Sequence, residues 1–192
     1  KFFSTKNLKD DEKILRFLMV GNLLKAKGIE EYFQASKKIK TKYPEVECNL
    51  VGKYLPSNFD SISKEKFYEI RNSGVINYLG NIGYDEMPDI YNQSTIFVLP
   101  SYGEGLPKSA LEAASTGMPL VMSDVAGCRE CIKNNCNGLL VKSEDVDALF
   151  LAMESFIQDT NLISSMGKES IAIIDERFSL EVISKKYQDL IG

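Results

Sequence analysis

Two carboxylates separated by seven residues, Glu104 and Glu112, bracket a glycine-bearing loop in the stretch TIFVLPSYGEGLPKSALEAASTGMPLVMSD. Between them, Gly105-Leu106-Pro107 leads into a segment patterned as a helix start. The first N–H groups of a helix have no intrahelical partner and carry partial positive charge. A loop that exposes such groups suits an anion such as a diphosphate. Pro107 fits the first helical position, where its preset φ helps and its missing N–H costs nothing. Ala110, Leu111, Ala113 and Ala114 form an apolar face, Gly117 suits a left-handed C-terminal cap, and Pro119 prevents continuation. Thr95–Leu99 and Pro119–Met122 have the apolar, β-branched character of buried parallel strands. Glu104 is therefore expected in a loop at the carboxyl end of a strand, with Glu112 more than a turn inside the helix. Open α/β sheets bind their ligands at that end.

The flanking sequence supplies the elements that would hold this unit. Ile14–Val20 reads as a buried strand ending at Gly21. Ile29, Tyr32, Phe33, Ser36 and Ile39 recur at helical spacing, and Pro44 stops that helix; its lysine-rich end, KKIKTK, reads as solvated. A second strand, Val46–Val51, closes at Gly52, Ser63 is placed to cap a helix over 64–72, and a third strand, Val75–Leu79, ends at Gly80. A short helix is expected around 85–93. The run VAGCRECIKNNCNG reads as a polar turn before a strand at Leu139–Val141. Three helices, about 145–158, 161–174 and 179–190, close the chain, with Ser143 or Asp145 capping the first and Ser179 the last. Strands alternating with helices predict an α/β domain built on a parallel sheet, spanning 13–192 behind a linker over 1–12. Gly21, Gly52, Gly80 and Gly103 fall at or just after strand ends, where small residues let a ligand approach the backbone.

Composition removes several classes of function. A net charge of −4 offers no basic stripe for nucleic acid. No run of about 18 apolar residues is present to span a membrane. The chain has no histidine, so imidazole is absent as base or metal ligand. Of its four cysteines, Cys128, Cys131 and Cys136 cluster and Cys48 lies far off on a strand; one CxxC with a single neighbour reads as reduced thiols rather than zinc. Cys128 has no base beside it in the motif and reads as a small turn residue.

The pattern EGLPKSALE followed by A-x-x-x-G-x-P resembles the C-terminal half of GT-B glycosyltransferases of family 4, retaining enzymes that use sugar nucleotides. MVGNLLKAKGIEEY is similar to that family's first strand and loop, VINYLGNIG to its base-contacting loop, SDVAGCRECIKNNCNGLLV to its approach to the sixth strand, and ERFSLEVISKKY to its closing helix. The resemblance covers about residues 13–190 and implies a Rossmann-like parallel sheet flanked by helices. It implies that Glu104 lies at the donor sugar as nucleophile, electrostatic stabiliser or hydroxyl anchor, and that Glu112 holds ribose hydroxyls. A carboxylate can accept from two vicinal hydroxyls at once. It further implies that Lys27 binds the diphosphate, that the backbone of Ile82 reads the base, and that Gly21, Gly105, Leu106 and Pro107 line the donor.

Asn22 departs from the pattern, which has arginine there. Arginine gives bidentate phosphate contacts that an amide cannot reproduce; Lys25, three residues on, and Lys108, beside the glycine loop, are cations that could help, although Lys25 reads first as an exposed lysine. The resemblance implies hexosyl transfer from a nucleotide sugar, here expected to be a UDP-sugar, to a glycan or lipid-linked acceptor in polysaccharide biosynthesis. No cofactor or metal is expected; the nucleotide sugar is the substrate. An N-terminal GT-B domain would supply the acceptor site and a histidine, so these residues alone are expected to be inactive. The expected location is cytoplasmic, peripheral at the inner membrane for the full-length protein. Two other readings keep the fold: a nucleotide-sugar-binding module without catalysis, and a sugar-nucleotide epimerase.

Overall fold

The computed structural model of the chain describes residues 14–179 together with 181, 182, 184 and 188. The expected linker over 1–12 and most of the expected closing helix over 179–190 lie outside the described residues. Among the described residues, β1 (Arg16–Val20), β2 (Glu47–Val51), β3 (Asn77–Gly80), β4 (Ile96–Leu99), β5 (Leu120–Ser123) and β6 (Gly138–Val141) form one sheet in the order β3-β2-β1-β4-β5-β6. Every neighbouring pair is parallel. This is a Rossmann-like doubly wound sheet flanked by helices.

The strands follow from their composition. Phe17, Leu18 and Met19 on β1, and all four residues of β4 and β5, are buried, as strands covered on both faces require. β3 is one of the two edge strands, and its residues alternate between exposed and half-buried. Helix α1 (Ile29–Lys42) buries Ile29, Tyr32, Phe33, Ser36 and Ile39 along one stripe. The Tyr32 hydroxyl reaches between β1 and β2, 3.2 Å from the carbonyls of both Phe17 and Asn49. α2 (Lys64–Asn72) is capped by Ser63, which accepts from the Lys66 N–H at 3.1 Å. α3 (Met87–Gln93), α4 (Lys108–Ser115), α5 (Ala126–Cys131), α6 (Val146–Gln158) and α7 (Asn161–Phe178) complete the order. α6 is capped by Asp145, not Ser143, through the Ala148 N–H at 2.9 Å. α1 packs on α6 and α4 on α7.

Three expectations are corrected. The run 126–131 is a short helix, not a turn, because Cys128 and Cys131, one turn apart, are both fully buried. α7 continues four residues beyond the expected stop at 174, and Ile174 is buried within it. The lysine-rich end of α1 is not simply solvated: Lys38 pairs with Asp147, Lys42 with Glu154 at 2.7 Å, and Lys37 with Glu69 at 3.0 Å. The Lys37–Glu69 and Lys38–Asp147 pairs lie at the surface and add little, whereas Glu154 is buried and has Lys42 as its cation; the three pairs join α1 to α2 and α6.

Gly28 precedes α1 with φ +72°, and a Cβ there would lie 2.1 Å from the Pro100 carbonyl oxygen. Gly74 has almost the same backbone, φ +69°, with nothing within 4 Å of its would-be Cβ. Gly74→Ala should cost about 1–2 kcal/mol, the strain of the left-handed conformation alone. Gly28→Ala should add overpacking and cost about 2–5 kcal/mol in all. Urea unfolding of both variants checks this; equal losses would contradict the close approach.

Candidate functional site

The crossovers from β1 to β2 to β3 run one way along the sheet, and the next returns to β4 on the other side of β1. The loops after β1 and β4 therefore leave neighbouring strands in opposite directions and open a crevice at their carboxyl ends. Those two loops are joined. The Tyr102 N–H and the Ser101 hydroxyl both donate to the Ala26 carbonyl, at 2.8 and 2.9 Å. The Ser109 hydroxyl donates to the Val20 carbonyl at 3.3 Å. Across the junction, Lys27 Nζ meets Glu104 Oε1 at 2.7 Å, and the two side chains are 30% and 8% exposed. A carboxylate that secluded needs polar partners, and Lys27 supplies one. From below, α5 supports the loop: a Cβ on Gly127 would lie 2.1 Å from the Gly105 carbonyl oxygen and 2.3 Å from that of Glu104.

The start of α4 faces the same crevice from sequence, with one correction. Pro107 is not the first helical residue but the cap, extended at φ −72° and ψ 103°. Its carbonyl accepts from the N–H groups of Ala110 and Leu111. Pro107 is buried and has no N–H, so it cannot donate to a ligand. The free donors are the N–H groups of Gly105, Leu106, Lys108 and Ser109, which make no hydrogen bond to another described residue. Gly105 and Leu106 are exposed. Gly117 holds the expected left-handed cap at φ +79°.

Glu112 lies on the second turn of α4, half-buried, and its Oε2 accepts a 2.8 Å hydrogen bond from the Tyr91 hydroxyl. Tyr91 comes from α3 and is fully buried; burial and the adjacent Glu112 charge push its phenol well above the ordinary range. Asn22 is exposed, and among the described residues its side chain has no hydrogen-bond partner. Lys25 and Lys108 are also exposed, with no carboxylate at ion-pair distance among the described residues. Gly21 closes β1, its N–H bonded to the Val51 carbonyl at 2.9 Å. Ile82 follows β3 by two residues and packs its side chain on the core. The structure thus joins Lys27 to Glu104, and sets Asn22, Gly21 and Ile82 on neighbouring loops of the same edge. Sequence reading missed Tyr91, Ser101, Ser109 and the 2.7 Å bond from the Tyr102 hydroxyl to buried Glu31. Each is a contact between residues far apart in the chain, with no local pattern to reveal it. Among the described residues, no group of three or more His, Cys, Asp or Glu could hold a metal ion. No described helix is long and apolar enough to cross a membrane.

The sequence model of the family described as glycosyl transferases group 1 matches residues 1–172. The chain belongs to this family. It is 31% identical, over 96% of its own length, to the N,N'-diacetylbacillosaminyl-diphospho-undecaprenol alpha-1,3-N-acetylgalactosaminyltransferase of Campylobacter jejuni, of which the match covers 46%. It is 33% identical, over 55% of its length and 27% of the relative's, to the UDP-Gal:alpha-D-GlcNAc-diphosphoundecaprenol alpha-1,3-galactosyltransferase of Escherichia coli. Among solved structures, a sucrose-phosphate synthase from Thermosynechococcus elongatus superposes with a TM-score of 0.80 at 26% identity, covering 96% of this chain and 46% of that one. The chain spans less than half the length of these relatives. Its sheet corresponds to the C-terminal half of the GT-B fold.

In this glycosyl transferase chain the buried thiols under the site report its packing. Burial, followed by the Glu104 charge, pushes Cys128 up from 9.0 to about 12. Cys131 is likewise pushed to about 12, and Cys48 to about 11. Cys136 is half-buried. A disulfide-exchange reagent at pH 8 should modify Cys136 alone until denaturant is added; rapid reaction of three or four thiols would contradict the packing. Raised folded-state pKa values mean that folding favours the protonated thiols. Their stabilisation is complete below about pH 9 and is lost as pH rises from there toward 12. The melting temperature should accordingly fall above pH 9.

Proposed function

We propose that this chain is the donor-binding half of a retaining glycosyltransferase. The transferase would move a hexosyl group from a UDP-sugar to a glycan or lipid-linked acceptor in polysaccharide assembly. The observation that carries the proposal is the Lys27–Glu104 pair at the β1–β4 crevice, beside the free N–H groups that open α4. A cation and several N–H donors converge where a diphosphate would sit, next to a carboxylate suited to sugar hydroxyls. Relatives named for diphosphoundecaprenol-linked acceptors, one of them for UDP-Gal, support the substrate classes.

In the transfer, an acceptor hydroxyl oxygen forms the new bond to the sugar C1 as the bond from C1 to the diphosphate oxygen breaks; that bond's electron pair stays on the diphosphate, which takes up the hydroxyl proton. Lys27 and the N–H groups of Gly105, Leu106, Lys108 and Ser109 stabilise the developing negative charge. As Lys27 turns to the phosphate, Glu104 is released toward the sugar. Whether Glu104 acts as nucleophile, electrostatic stabiliser or hydroxyl anchor, it begins from one defined position. Glu112 accepts from the ribose hydroxyls, and the backbone of Ile82 reads the base. The nucleotide sugar enters as substrate, and neither cofactor nor metal is part of this scheme.

We assign residues 13–192 to the donor domain and the preceding segment to the connector. By this reading an N-terminal domain holds the acceptor, and these residues alone bind donor without transferring sugar. A lipid-linked acceptor would draw the whole protein to the periphery of the cytoplasmic membrane face. The exposed Asn22, standing where the family pattern has arginine, favours one second reading: a binding module that has lost catalysis. Asn22→Arg in the full-length protein separates the two, since an enzyme weakened at this position gains activity and a binding module does not.

Calorimetric titration of the chain with UDP, GDP and ADP should show saturable binding of one of them, UDP by this reading. Glu112→Ala and Lys27→Met should each weaken it by about 1.5–3 kcal/mol, the range for hydrogen bonds to charged groups. Binding that both variants leave unchanged would place the nucleotide elsewhere.

A further inference from the structure

Glu112 is not a free-standing helical carboxylate. Its Oε2 accepts from Tyr91 at 2.8 Å, and Tyr91 is a fully buried residue of α3. Among the described residues, Oε1 of Glu112 accepts no hydrogen bond. A tyrosine hydroxyl held in the core must donate to a nearby acceptor or lie buried without a partner. Glu112 therefore has one oxygen directed to the interior and the other left for a ligand. A helical Glu otherwise samples several rotamers, and ordering it at the moment of binding costs affinity. A tie from the core removes that cost beforehand.

We propose that Tyr91 is a positioning residue for ribose recognition, locking the Glu112 carboxylate so that a nucleotide with free ribose hydroxyls is preferred over one without them. This rests on the donor-site reading above. Tyr91 touches no substrate; it acts only through Glu112. The lock also sets the polarity of the site. An amide at position 112 would have to turn its carbonyl to the Tyr91 hydroxyl, which needs an acceptor. Its NH2 would then face the ligand, presenting donors where the ribose hydroxyls need acceptors.

The test is titration of the 192-residue chain with UDP, GDP and ADP and with their 2′,3′-dideoxy counterparts, which lack both hydroxyls. The readout is the affinity ratio of each nucleotide over its dideoxy form. The native chain should prefer the ribonucleotide about tenfold or more, as loss of hydrogen bonds to a charged group implies. Glu112→Ala should abolish that preference. Tyr91→Phe should lower it several-fold by weakening the ribonucleotide alone, whereas a merely structural defect would weaken both ligands equally. Glu112→Gln should lose the preference as fully as Glu112→Ala, and Tyr91→Phe combined with Glu112→Gln should regain part of it, because the amide is then free to turn.

An unchanged ratio in Tyr91→Phe, or a double variant no better than Glu112→Gln, overturns the proposal while leaving the donor site intact. If variants of Tyr91 fail to fold, Glu112→Gln still decides: a preference retained there shows that Tyr91 does not fix the orientation. A native chain that binds none of the nucleotides, or binds without ribose preference, overturns the donor-site reading itself and this inference with it.

Discussion

The approach of Gly28 to the Pro100 carbonyl holds together two loops that the chain supplies from distant places. Gly28 starts α1 directly after Lys27, and Pro100 starts the loop that carries Glu104. With a side chain at position 28 the loops would have to separate. Lys27 would then lose its reach to a carboxylate that is 8% exposed and 77 residues away in sequence. A carboxylate left in that position without its cation would cost several kcal/mol. The backbone contact and the ion pair therefore stand together: the first makes the second geometrically available, and the second makes the buried charge tolerable.

Around that junction the fold divides into closely packed parts and parts left open. The sheet beneath is buried on both faces through β1, β4 and β5, and hydrogen bonds from Ser101, Tyr102 and Ser109 knit the β4 loop and α4 to the end of β1. Gly127 allows α5 to press on the carbonyls of Glu104 and Gly105 from the other side. Gly105 and Leu106, by contrast, are exposed, with N–H groups uncommitted. N–H donors left free beside a positioned cation are the arrangement that electrostatic stabilisation of an anion requires.

The order of strands and helices was legible in the sequence because each element carries its own periodicity. α2 matched its expected bounds, since Ser63 is a strong cap and Phe67 and Ile70 mark its buried face. Glu104 and Glu112 were legible because a glycine loop and an apolar helix face surround them in one continuous stretch. The cysteine run misled: read locally it is polar, yet Cys128 and Cys131 turn one face into the core, which only tertiary packing decides. Pro107 misled by one position, because proline favours both the cap and the first turn, and the extended ψ that settles the matter is not written in residue type. The lysines ending α1 found partners on α2 and α6 that no local pattern could announce.

Hydrogen–deuterium exchange on the chain, with and without saturating UDP, tests the central claim most directly, because it reads backbone N–H groups one segment at a time. The account predicts that ligand protects the segments around 21–28, 80–83 and 104–112 and leaves α6 and α7 unchanged. Protection confined to other segments, or none at these three while UDP is bound, would contradict a donor site built at the junction of the β1 and β4 loops.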